Sequence, residues 1–196
     1  MDQDTEAVIE RLDEALAKSG LSLRQFAHAL GTSPSRFCAY RSGHTAPSAV
    51  FLLRAERVGD ALSDARRDGI PTSVGSVGAL RRAAKRGDED WTYAMALEVR
   101  DRLHDLLNLH HEHAAAWDAQ PPAVDERWDA LIAAFVEHEF DQAGLPAPRW
   151  TQSTNRLDDE WVLDTPRLTD AQIKQQTPSW LAERNIFIAA KDLVTA

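Results

Sequence analysis

The side chains of this chain that could do chemistry fall into two groups. The first runs along residues 24–45 and comprises Arg24, Gln25, Ser33, Ser35, Arg36, Ala39, Arg41, His44 and Thr45. These are hydrogen-bond donors, acceptors and one methyl, which suits recognition better than bond-breaking. Arg36 can offer two parallel donors to the O6 and N7 edge of guanine, Ser35 can bond several bases, and Ala39 can meet a thymine methyl. Arg24, Gln25, Arg41, His44 and Thr45 are of the types that grip phosphate oxygens without reading sequence.

The second group is His104, His110, His111 and His113, with Glu112. The zinc-protease spacing would need a histidine where Ala115 stands. On a helix His110 and His113 share one face and His104 and His111 another, with no cysteine and no clearly paired carboxylate to complete a ligand set. The expectation is a solvated helix end without metal or cofactor, and Glu137-His138-Glu139 is read the same way. Cys38 has only Arg41 nearby in sequence to lower its pKa, so it is expected to be an inert small side chain. No phosphate loop, nucleophile elbow or dinucleotide fingerprint is present, and no catalytic residue is assigned: the chain is not expected to be an enzyme.

The elements that must position the first group are legible. Leu23, Phe26, Ala27 and Leu30 recur at helical spacing, and Gly31 supplies the left-handed conformation that stops a helix. Ser33 is a hydroxyl cap, and Pro34 stands at the first helical position, where its missing N–H is harmless. Phe37 and Tyr40 point inward at i, i+3, and Gly43 closes the second helix. The result is a helix-turn-helix pattern with its recognition helix over 33–42.

The run Gly20-Leu-Ser-Leu-Arg-Gln-Phe-Ala-His-Ala-Leu-Gly-Thr-Ser-Pro-Ser-Arg-Phe37, followed by Tyr40-Arg-Ser-Gly43 and Pro47-Ser48, resembles the Xre/Cro/C1-type helix-turn-helix family of bacterial and phage regulators. The resemblance covers residues 8–62. It implies a recognition helix in the major groove, reading through Ser35, Arg36 and Ala39, while Arg24, Gln25, Arg41 and Thr45 hold the backbone. The chain departs from the family at Leu23, where many members carry a phosphate-holding Gln. The outward positions Pro34, Ser35, Arg36, Cys38 and Ala39 are also short of long polar side chains. Thin base readout, supplemented by DNA shape, is therefore expected. The other use of such a fold is as a scaffold for protein contacts.

Charge is unevenly distributed. Residues 20–86 carry eleven Arg or Lys against four Asp or Glu, residues 1–19 two against six, and residues 87–196 nine against twenty-one, within a net charge of −9. A basic segment followed by an acidic one fits a DNA reader joined to a part that does not touch DNA. The single cysteine suits a reducing compartment. No apolar run approaches the roughly 18 residues of a membrane span, and the acidic N-terminus is unlike a signal peptide. A cytoplasmic, nucleoid-associated protein without membrane contact is expected.

Along the chain, Val8, Ile9, Leu12, Ala15 and Leu16 stripe an opening helix over 5–19, and Ser48 caps another that reaches about residue 67. The Pro, Gly and Ser cluster of residues 70–78 marks a linker between a DNA-binding domain at 1–69 and a second domain at 79–196. Residues 79–86 then form a short basic helix whose Arg81, Arg82, Lys85 and Arg86 are candidate phosphate contacts or simply a solvated face. A long helix over 88–118 and a second over 125–143, broken by Pro121-Pro122, predict an antiparallel hairpin with apolar surface left for a dimer seam or partner. Beyond it, 145–150 should be extended, Thr169 and Gln172 form a capping box, Thr177-Pro178 opens a helix, and 185–190 reads as a buried strand or extended segment.

The fold class expected is thus mainly all-α: an N-terminal bundle of four to five helices, then a C-terminal helical domain with a long hairpin and an irregular Trp- and Pro-rich tail. The function expected is a sequence-specific transcriptional regulator, a dimeric autorepressor bound to double-stranded DNA. The alternative is an antitoxin-type protein whose acidic C-terminal half binds and neutralises a toxin while the N-terminal domain autoregulates the operon.

Overall fold

A computed structural model describes residues 2–154 and 156–193. The fold is all-α, with one two-residue parallel strand pair as its sheet. The chain divides into two compact units, each described here by itself: Met1–Gly78 with His110–Pro122, and Ala79–Leu109 with the chain from Ala123 onward.

The first unit contains α1 (Gln3–Ser19), α2 (Leu23–Ala29), α3 (Pro34–Arg41) and α4 (Ala49–Asp68). Each starts on a polar cap: Asp2, Ser22, Ser33 and Ser48 accept from the N–H of Thr5, Gln25, Arg36 and Phe51, respectively. These caps satisfy backbone donors that would otherwise be orphaned. Leu12, Phe26, Leu30, Phe37, Tyr40, Phe51, Leu52 and Val58 form one buried cluster. Within it Phe26 meets Phe37 edge-on at 5.6 Å, and Tyr40 lies 5.1 Å from Phe51. Helices α1 and α4 approach so closely at Gly59 that a β-carbon there would sit 2.6 Å from the Ala15 carbonyl oxygen.

Two expectations change in this unit. Residues 70–78 are not an extended linker: α5 (Ser73–Ala84) is helical from Ser73, with Thr72 Oγ1 accepting from Gly75 N–H at 3.1 Å and Ser73 and Val77 buried. Apolar side chains at 74, 77 and 80 outweighed the low helix propensity of the glycines. The helix expected over 88–118 stops at Leu109, where α6 (Glu89–Leu109) ends, and a 3₁₀ helix (His111–Trp117) belongs to the first unit. Trp117 is fully buried there, and its indole N–H donates to the Pro71 carbonyl at 3.2 Å. Gln120 N–H donates to the Ala29 carbonyl at 2.9 Å, the Ser73 hydroxyl donates to the Ala119 carbonyl at 2.6 Å, and Arg57 pairs with Asp118 at 3.0 Å. The division at 69/79 is therefore replaced by a discontinuous one, with residues 110–122 completing the N-terminal bundle.

In the second unit α6 packs on α7 (Glu126–Gln142), capped by Asp125. Residues 130–136 of α7 are buried without interruption, so this helix is covered all round. Its apolar surface, expected to await a partner, is covered by the chain's own tail. That tail comprises α8 (Arg149–Gln152), β1 (Trp161–Val162), α9 (Asp170–Gln176), α10 (Ser179–Ala182) and β2 (Ile186–Phe187). Trp128 meets Trp161 edge-on at 5.1 Å, and Trp180 lies 6.1 Å from Phe135 while stacking on His138 at 4.3 Å. The β1–β2 register pairs Trp161 with Ile186. Asn185, at φ 60°, lets the chain turn into β2 and donates its amide to the Leu157 carbonyl at 2.7 Å. The Thr169–Gln172 capping box forms as expected, whereas Arg149 and Trp150, expected to be extended, begin α8 behind Pro148.

Candidate nucleic-acid interface

The candidate interface is the α2–α3 surface of the first unit. Helix α2 opens with a reciprocal capping box: Ser22 accepts from Gln25 N–H while Gln25 Oε1 accepts from Ser22 N–H at 3.0 Å. It closes in a left-handed turn at Gly31, φ 69°, where Gly31 N–H donates to the His28 carbonyl and Thr32 N–H to the Ala27 carbonyl at 2.8 and 2.9 Å. That pair of bonds satisfies the last carbonyls of α2 and sets the direction in which the chain leaves it. Ser33 and Pro34 then start α3, and burial of Phe37 and Tyr40 fixes which face of α3 points outward.

On that outward face lie Ser35, Arg36 and Cys38, all exposed, with Ala39 half-buried. Arg36 is not a loose side chain. Its Nε donates to the Tyr40 hydroxyl at 2.7 Å, and its guanidinium carbon lies 5.9 Å from the Tyr40 ring centre. Tyr40 is itself buried in the aromatic cluster, so its hydroxyl is a fixed acceptor. The bond uses Nε and leaves the Nη1/Nη2 edge of the fork for a bidentate partner. The i, i+4 spacing of Arg36 and Tyr40 is the signal in the sequence for this contact, alongside the core role of the Tyr40 ring.

The other expected contacts separate into available and committed groups. Arg24 is exposed at the start of α2, and among the described residues no ion pair or side-chain hydrogen bond holds it. Thr45 is exposed, and its N–H donates to the Ala39 carbonyl at 3.2 Å. His44 is exposed, with Nδ1 2.6 Å from the Ser42 hydroxyl, and Ser33 Oγ lies 3.1 Å from Ser35 Oγ. Gln25 spends its carbonyl oxygen on the capping box and keeps only its amide N–H groups for a phosphate. Arg41 is committed elsewhere: its Nε is bonded to Asp13 of α1, a carboxylate that local pattern could not link to it.

The same commitment runs through most of the unit's positive charge. Arg11 pairs with Glu56 at 2.5 Å, Lys18 with both Glu14 and Asp60 at 2.9 Å, and Arg67 with Asp64 and Asp68. The hydrogen bonds that Lys18 donates to Glu14 and Asp60 raise its ammonium above the usual range, and the bond from the Arg67 guanidinium lowers Asp68. Of the cations in residues 20–86, Arg41, Arg57 and Arg67 are thus held by carboxylates.

In the first unit His110, His111 and His113 each lie 3.8–3.9 Å from a Glu112 carboxylate oxygen. His104 Nδ1 lies 2.8 Å from Glu139 in the second unit, while His113 Nε2 lies 3.4 Å from Asp68 in the first. Among the described residues no group of three or more His, Cys, Asp or Glu is placed to hold a metal ion, and no helix is long and apolar enough to cross a membrane. Neither a protein-family model, nor a curated protein, nor a solved structure matches this chain.

Proposed function

We propose that the chain is a sequence-specific DNA-binding transcriptional regulator that places α3 in the major groove. The observation that carries this reading is Arg36: exposed, held by a buried tyrosine, with its bidentate edge free on a helix whose other outward residues are small. A pre-oriented fork loses less side-chain entropy on meeting guanine, and the small neighbours let the helix approach base edges closely. Ser35 and Ala39 supply the weaker base contacts, and Arg24, His44 and Thr45 the backbone contacts. The protein acts as a homodimer on two half-sites about one helical turn apart, and by occupying its own promoter it represses its own synthesis.

The test is a fluorescence-anisotropy titration of the full chain on duplex from its own upstream region and on a scrambled duplex. Wild type should prefer the upstream duplex, with affinity falling steeply as salt rises. Arg36→Ala should bring the two affinities together while retaining the salt dependence. Equal binding of both duplexes by wild type would contradict the proposal.

A further inference from the structure

Four cations, Arg81, Arg82, Lys85 and Arg86, fall within six residues at the end of α5. All four are exposed, and among the described residues none makes an ion pair or a side-chain hydrogen bond. Elsewhere the chain sets helical cations against carboxylates one turn away: Lys18 on Glu14, Arg67 on Asp64, Arg102 on Glu98. Here the pattern is reversed. Lys85 N–H donates to the Arg81 carbonyl at 3.3 Å, so helical geometry persists and sets these two like charges at i, i+4. The pair repels in the free helix, which the dipole at the end of α5 offsets only in part, and a polyanion relieves it.

The acids that follow have their own local role. Asp88 Oδ1 accepts from Trp91 N–H at 2.9 Å, and Glu89 and Asp90 stand in the first turn of α6, where the helix dipole favours negative charge. The apolar side chains of the same stretch, Val77, Leu80 and Ala83, are buried, which leaves no exposed apolar residue among 77–86 to insert into a bilayer. With cations alone on its exposed end, the segment is suited to phosphate oxygens, which a duplex of any sequence presents.

We propose that residues 81–86 form a second, sequence-blind contact for the phosphate backbone of duplex DNA. It deepens the regulator reading but does not depend on base readout by α3. The test titrates the full chain with a random-sequence duplex at several salt concentrations. The variant Arg81→Gln/Arg82→Gln/Lys85→Gln/Arg86→Gln should lower the slope of log affinity against log salt by up to about 3.6, since each phosphate contact contributes about 0.9. Arg81→Lys/Arg82→Lys/Arg86→Lys keeps the charge and should keep the wild-type slope. The half-variants Arg81→Gln/Arg82→Gln and Lys85→Gln/Arg86→Gln should each remove about half the effect, and they serve if the full set does not fold.

An unchanged slope in the neutralised variants overturns the proposal. So does charge-dependent binding to phosphatidylserine vesicles without any effect on DNA. If α3 proves not to read sequence, Arg36→Ala will leave specificity untouched while the neutralised variants still lose slope, so the two ideas fail separately.

Discussion

The seam between α1 and α4 and the outward face of α3 use the same kinds of side chain to opposite ends. Along the seam, Arg11, Lys18, Glu14, Glu56 and Asp60 answer one another at 2.5–2.9 Å, and Gly59 lets the helix backbones close up. On α3, Arg36 leans on a neutral hydroxyl instead of a carboxylate and keeps its full charge outward. Positive charge counted from sequence therefore overstates what is available for DNA. The arginines that matter are those with no carboxylate within reach, and Arg41, tied to Asp13, is on the wrong side of that division.

Substitutions can break or sharpen this contrast. The largest effect belongs to the buried framework beneath it. Trp117→Ala should destabilise the first unit by about 3–5 kcal/mol in urea unfolding, as much as Phe37→Ala, because both are fully buried large rings. A negligible loss would mean that residues 110–122 are not part of that unit. Gly59→Ala comes next, at about 1–3 kcal/mol, since the added methyl has only the Ala15 backbone to push against.

On the α3 side, Arg36→Ala should remove about 1–3 kcal/mol of discrimination between specific and scrambled duplex while leaving the urea midpoint unchanged. Tyr40→Phe should cost a smaller part of the same discrimination, because the fork remains but its acceptor is gone. The smallest effect is expected for the cations already paired. Arg11→Gln and Arg41→Ala should leave the salt dependence of DNA binding unaltered, and a clear drop in slope for Arg41→Ala would show that Asp13 surrenders it to phosphate.

The contrast also explains what could be read in advance. Helices α1 to α4 follow from stripe and glycine signals, with the Ser33 and Ser48 caps legible; α1, expected from residue 5, begins at Gln3 on Asp2, and the Ser22 cap of α2 is an addition of the structure. The α3 outward face follows from the same local rules, because burying Phe37 and Tyr40 leaves Arg36 no other direction. The return of residues 110–122 does not follow, since it depends on backbone bonds such as Gln120 N–H to the Ala29 carbonyl, which leave no mark on composition or period. Residues 70–78 carry a conflict: glycine and serine signal a loop, while Val74 and Val77 pack as core and hold the segment helical from Ser73. The tail is half legible: its capping box and the buried stretch that holds β2 show in the sequence, but β1 and its pairing with β2 through Trp161 and Asn185 do not.

The most direct test of the account is selection of bound duplexes from a random pool by wild type and by Arg36→Ala. The account predicts a two-half-site motif for wild type with a guanine at one fixed position in each half, and loss of preference at that position alone in the variant. The same motif recovered with both proteins, or no motif with either, would contradict it.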